Sequence, residues 1–155
     1  MKYLSALIVI TMTGFIFSAS AQTQKMRATV ADTSVTQQPL YTDYKGVTLG
    51  MTAVEVRAKL GTPVLKDDEL DYYVFSDSLS AQVAYDSSHK AKVISVDYAG
   101  GVGAPDYRAV VGPELITRAD GSVYGMVRYE SRGFWVSYNR TAGPVVIVTI
   151  TIQKI

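Results

Sequence analysis

His89 lies in the string Asp86-Ser87-Ser88-His89-Lys90, where a carboxylate and a hydroxyl flank the one imidazole of the chain. A general base needs a carboxylate orienting one ring nitrogen and a nucleophile beside the other. Asp86 and Ser88 supply those groups in name, but the same five residues are turn formers, and a solvated hairpin does not hold a triad in register. Asp67, Asp68, Glu69 and Asp71 make the densest acidic cluster. Calcium takes six to eight oxygens, normally from a glycine-supported loop with alternating ligands, and this string has neither the spacing nor the glycine. It reads as a solvated connection between a helix and a strand. Asn139-Arg140-Thr141 fits a glycosylation sequon but also a turn, while Gly100-Gly101-Val102-Gly103 lacks the Gly-Lys-Ser of a phosphate loop and opens onto Pro105. With no cysteine and a single histidine, thiolate zinc, iron–sulfur clusters, disulfides and two-histidine metal cages are all excluded. No acid–base–nucleophile set converges, so a non-enzymatic role without cofactor or metal is expected, and a small hydrolase is the remote alternative.

Binding chemistry is better represented. The chain has 11 Tyr and one Trp. In the run Phe134–Tyr138, Trp135 has the opposite parity to Phe134, Val136 and Tyr138, so it points to the other face of a strand. Tyr124 and Met126 similarly oppose Val123, Val127 and Tyr129, and Tyr73 and Phe75 oppose Tyr72 and Val74. If helices cover one face of a sheet, Trp135, Tyr124, Met126, Tyr73 and Phe75 are expected together on the other, as a protein-binding surface of the residue types enriched in interface cores. Two plainer readings stand beside this one. Tyr and Trp are good strand formers whose scattered exposure is normal, and residues 22–44, with Leu40, Tyr41 and Tyr44, offer a cover for part of that face. The charge balance, 15 Lys+Arg against 14 Asp+Glu, lacks the basic footprint of a nucleic-acid binder.

The elements that must position these residues begin late in the chain. Positions 1–21 read as a secretory signal peptide: Met1-Lys2, an apolar run from Tyr3 to Phe17, and Ser18-Ala19-Ser20-Ala21 before a cleavage at Gln22. The run is short for a bilayer core of ~30 Å, so no membrane span is expected after cleavage, and without cysteine there is no lipid anchor. The expected location is the periplasm or the medium. Residues 22–44 are rich in Gln, Thr, Ala and Ser without periodicity and read as a flexible linker.

From Lys45 the pattern sharpens. Gly50-Met51-Thr52 leads into Ala53–Leu60, with Thr52 as N-cap, Glu55 completing a capping box, and Met51 and Val56 placed as a hydrophobic staple. Gly61 and Pro63 stop the helix. Strand-like runs follow at Leu70–Ser76, Ala81–Tyr85 and Val93–Tyr98. Arg57-Ala58-Lys59-Leu60-Gly61 then has a counterpart in Arg108-Ala109-Val110-Val111-Gly112, followed by Pro113, with further runs at Val123–Glu130, Phe134–Tyr138 and Val145–Gln153. This predicts an α+β domain of two helix–meander repeats, residues 45–100 and 101–155, sharing one antiparallel sheet of about six strands with short helices on one face.

The string Leu49-Gly50-Met51-Thr52, Glu55-Val56, Leu60-Gly61-Thr62-Pro63, with the strands after it, resembles the small outer-membrane assembly lipoproteins of the BamE/SmpA/OmlA group. It is also similar in layout to the β-lactamase inhibitory proteins, which carry a helix–meander unit in tandem. The resemblance covers Lys45 to about Tyr98 well and Pro105 to Ile152 weakly. It implies the fold and a binding role in the envelope or outside the cell, with an envelope scaffold or assembly factor as the alternative. The chain departs from both groups in lacking the acylated cysteine of the first and the disulfides of the second.

Overall fold

The computed structural model describes residues 38–155; the expected signal peptide and most of the expected linker lie outside them. Helix α1 (Ala53–Leu60) precedes strands β1 (Leu65–Lys66), β2 (Leu70–Ser76), β3 (Leu79–Tyr85) and β4 (Ala91–Ala99). Helix α2 (Tyr107–Val111) precedes β5 (Ile116–Thr117), β6 (Val123–Tyr129), β7 (Phe134–Arg140) and β8 (Ile147–Lys154). All strand pairs are antiparallel and form one 8-stranded sheet in the order β1-β2-β3-β4-β8-β7-β6-β5. Among the described residues, no helix is long and apolar enough to cross a membrane.

The expected two helix–meander repeats around about six strands are corrected here. The sheet has eight strands, the helices span only 8 and 5 residues, and no repeat is evident. The two added strands, β1 and β5, hold two residues each, too few to show an alternation in sequence. The two helices are also built differently. In α1 the Thr52 hydroxyl accepts from the Glu55 amide at 3.4 Å, and Glu55 Oε2 accepts from the Thr52 amide at 2.8 Å. In α2 the Asp106 carboxylate accepts from the Arg108 amide at 2.8 Å without a reciprocal bond. Gly61 and Gly112 close the helices at φ of 87° and 84°, which side chains with a Cβ rarely adopt.

Both helices bury into one core on one face of the sheet. Val56 of α1 and Val110 and Val111 of α2 pack on the inward residues of the strands, among them Tyr73, Val83, Ile94, Val136, Ile150 and Ile152. Gly125 lets α2 come this close, because a Cβ there would stand 2.7 Å from Leu115 and 2.9 Å from Val111. Between the helices lies a third cover. Tyr44 and Val47 are buried, with Tyr41, Leu49 and Met51 against them. The Leu40 amide donates to the Tyr129 hydroxyl at 3.4 Å, and the Gly50 amide to the Ala91 carbonyl at 2.8 Å. The packed domain therefore starts ahead of Lys45, and residues 38–44 lie on the helix side, away from the face that Trp135 occupies.

Candidate binding face

The sheet is covered on one side only by the described residues. On the other side the ladders set side chains in rows that cross the strands. One row runs Leu65, Tyr72, Gln82, Ser95, Thr151, Ser137 and Met126 from β1 to β6. The row beside it runs Leu70, Ala84, Val93, Gln153, Trp135 and Arg128, and a third carries Val74, Ser80, Asp97, Thr149, Asn139 and Tyr124. The middle of the face is thus hydroxyl and amide, tied at one point by Ser95 and Thr151, whose side-chain oxygens are 3.1 Å apart. Its flanks are apolar: Leu65, Tyr72 and Val74 on one, Trp135, Tyr124, Met126 and Ile116 on the other.

Trp135 and Tyr124 are half-buried on this face, and Met126 is exposed. Ser137, paired across the ladders with Met126 and Thr151, is buried. Tyr73 and Phe75 are not part of this surface, and their expected place there is corrected. Tyr73 is only 1% exposed on the helix side, stacked on Phe75 at 6.0 Å. Leu70–Ser76 is apolar on both parities, so alternation cannot orient it. The orientation comes from Asp71.

Asp71 is fully buried and shares the inward parity of Tyr73. Arg57 of α1 grips it with two bonds, Nε to Oδ2 and Nη2 to Oδ1, both 2.8 Å. Tyr85 donates its hydroxyl to Oδ2 at 2.7 Å and Tyr73 does so at 3.2 Å. Burial pushes the Asp71 carboxyl up, but the bonds from Arg57, Tyr85 and Tyr73, with the Arg57 charge, outweigh it and hold the pKa below the ordinary value. Burial, reinforced by Asp71, raises both tyrosines well above the usual phenol range. This network is a latch between α1 and the β2–β3 pair. Reading Asp67–Asp71 as a solvated connection missed it; the signal was an acidic residue inside an apolar strand with an arginine on the preceding helix.

The other chemistry-bearing strings are local structure. Asp86 Oδ1 accepts from the amides of Ser88 at 2.9 Å and Lys90 at 3.1 Å. Its carboxylate thus shapes the turn, in which the exposed His89 takes φ 56°. Asp67 Oδ1 accepts from the amides of Glu69 and Leu70 at 2.7 and 2.6 Å. Among the described residues no group of three or more His, Asp or Glu side chains is placed to hold a metal ion.

Two of the molecule's concavities lie on opposite sides of the sheet. One, of about 450 Å3, lies on the helix side between residues 42–50 and the ends of β7 and β8, with Leu49, Phe134 and Ile152 inside and Arg132 and Lys154 on its rim. Lys154 pairs there with Asp86 at 3.8 Å. The other, about 440 Å3, is a trough in the open face at the β2–β3 hairpin end, walled by Tyr72, Val74, Ser80, Asp97, Ile147 and Thr149. Of the ladder-paired residues on the open face, only Asp97 and Arg128 carry charge. Arg128 is matched by Glu130 at 3.3 Å, whereas Asp97 accepts a single bond, from the Thr149 hydroxyl at 2.6 Å. No family model, curated protein or solved structure matches the chain.

Proposed function

We propose that this chain is an exported, non-enzymatic protein-binding domain that acts through the open face of its sheet. The carrying observation is that face: one side of an eight-stranded sheet left uncovered by the described residues, with only Asp97 and Arg128 charged among its ladder-paired residues and with Trp135, Tyr124 and Met126 on β6 and β7. Charge depletion together with Trp, Tyr and Met is the composition of an interface core, and it distinguishes this face from ordinary protein surface. The ladder beneath fixes where these residues sit on the face, and the Trp and Tyr rings offer large contact area with only two side-chain torsions each to freeze. Export rests on the leader-like positions 1–21.

Photocrosslinking in the producing cell tests the reading. A photoreactive residue at Met126, on the open face, is compared with one at Val54, which is 75% exposed on the helix side. A discrete crosslinked protein from position 126 and none from position 54 is the expected result. Equal products from both, or none from 126, would overturn the face as the docking surface.

A further inference from the structure

We propose that the protein docked on the open face presents a Lys or Arg side chain, which enters the trough at the β2–β3 end and pairs with Asp97. This rests on the reading of that face as a protein-docking surface and adds the chemistry of the partner.

The argument starts from desolvation. Asp97 sits on β4, a central strand, between Ser80 of β3 and Thr149 of β8, so a partner covering the face covers it too. A carboxylate taken out of water without a counter-charge is strongly disfavoured. Within the described residues Asp97 has one donor, Thr149, and makes no ion pair. Its other oxygen retains its acceptor capacity. The trough walls include no Lys, Arg or His, and the one other charged residue in them is Asp77. Among the described residues no cation reaches Asp97, and on this proposal the partner supplies it.

The shape of the trough agrees with the charge. Tyr72, Val74 and Ile147 provide aromatic and aliphatic wall, which suits the methylene stem of a long basic side chain. Asp97 and the hydroxyls of Ser80 and Thr149 provide acceptors deeper in. A guanidinium fits this set better than an ammonium, because its planar fork reaches a carboxylate oxygen and a neighbouring hydroxyl together. Three strand spacings separate Asp97 from Tyr124 along one row, roughly 14 Å, so one partner surface spans both the trough and the aromatic cluster.

The test is an amide-shift titration of the 15N-labelled protein with N-acetyl-arginine methylamide and, separately, its neutral isostere N-acetyl-citrulline methylamide. Arginine is expected to shift the amides of Asp97, Thr149 and Ile147 with millimolar affinity, and citrulline to bind roughly tenfold more weakly. The variant Asp97→Asn keeps an acceptor for Thr149 and should respond equally to the two probes, while Asp68→Asn, at an exposed carboxylate outside the trough, should behave as the parent. Equal responses of the parent to both probes, or no shift at the trough, would overturn the proposal without needing any variant. A crosslink from position 126 without an arginine response leaves the docking face standing and removes the basic residue. An arginine response without a crosslink leaves the trough as a site for a basic group but removes the docked protein, and the proposal falls with it.

Discussion

Two aspartates on neighbouring parts of one sheet have opposite fates. Asp71 of β2 points into the core and receives four hydrogen bonds, two from the Arg57 guanidinium and one each from Tyr73 and Tyr85. Asp97 of β4 points to the open face and receives one. The fold desolvates the first completely, and the same chain supplies its cation. It leaves the second partly in water, which is the cheapest counter-medium for an unpaired carboxylate. The difference teaches that the fold supplies a counter-charge where it removes water and supplies none where water remains. On the helix side the buried carboxylate is paired by Arg57, while on the open side Asp97 makes no ion pair among the described residues.

The largest effect should come from breaking the closed side. Arg57→Ala leaves Asp71 buried without its cation and should cost about 3–5 kcal/mol, read as a lower urea midpoint at unchanged slope. Arg57→Lys should recover only part, since an ammonium cannot reproduce the paired bonds. Tyr85→Phe removes one donor and should cost about 1–3 kcal/mol. The pH dependence has a fixed sign. The folded pKa of Asp71 lies below its unfolded value of about 3.9, so its contribution is complete above that value. It is lost as pH falls through the folded pKa. Urea midpoints taken from pH ~6 to ~2 should fall on the acid side, and Asp71→Asn should flatten that fall. Parent-like stability of Arg57→Ala would mean that the latch does not hold α1.

Next in size is the contrast between the faces. Ile150 is fully buried on the helix side, and Ile150→Ala should cost about 2–5 kcal/mol. Trp135→Ala, on the open side, should cost about 1 kcal/mol or less in folding, although the deleted side chain is larger. The lone Trp gives a direct readout: emission readily quenched by iodide accompanies an open face. A blue-shifted, protected emission with a folding cost rivalling that of Ile150→Ala would mean that the face is covered in solution.

How much of this was legible in the sequence depends on the range of the interaction. The α1 capping box lies within four consecutive residues, so Thr52 and Glu55 could be read directly. The parity of Trp135, Tyr124 and Met126 came from strands with clear alternation. The orientation of β2 did not, because Leu70–Ser76 alternates nothing, and its face is set by Arg57 reaching Asp71 from another element. The cover formed by Tyr41, Tyr44 and Val47 has no period at all and becomes visible only when packed. Two-residue strands such as β1 and β5 exist only through their partners, which is why the sheet read as six strands has eight.

A smaller expected change concerns that cap. Thr52→Ala should destabilise the domain by about 1 kcal/mol. Combined with Glu55→Ala the effects should fall short of additive, because the two side chains satisfy each other's backbone amides. Full additivity in a urea titration would show that each acts through separate contacts.

The smallest expected effect returns to the comparison between met and unmet polar groups, now within the core. Tyr44 is buried with its ring against Phe75 at 6.0 Å, and the Lys45 ammonium stands 5.5 Å from its ring centroid. Its hydroxyl has no hydrogen-bond partner among the described residues, and burial, with Tyr98 nearby, pushes its pKa up to about 12. Tyr85 in the same core gives its hydroxyl to Asp71, so one chemical change should have opposite outcomes at the two positions. Tyr44→Phe keeps the ring and its contacts and deletes only a group that gains nothing from folding. Stability should stay level or rise by up to about 1 kcal/mol, whereas Tyr85→Phe falls. A clear loss for Tyr44→Phe in thermal and urea unfolding would mean that the Tyr44 hydroxyl finds a partner in solution, most simply a buried water.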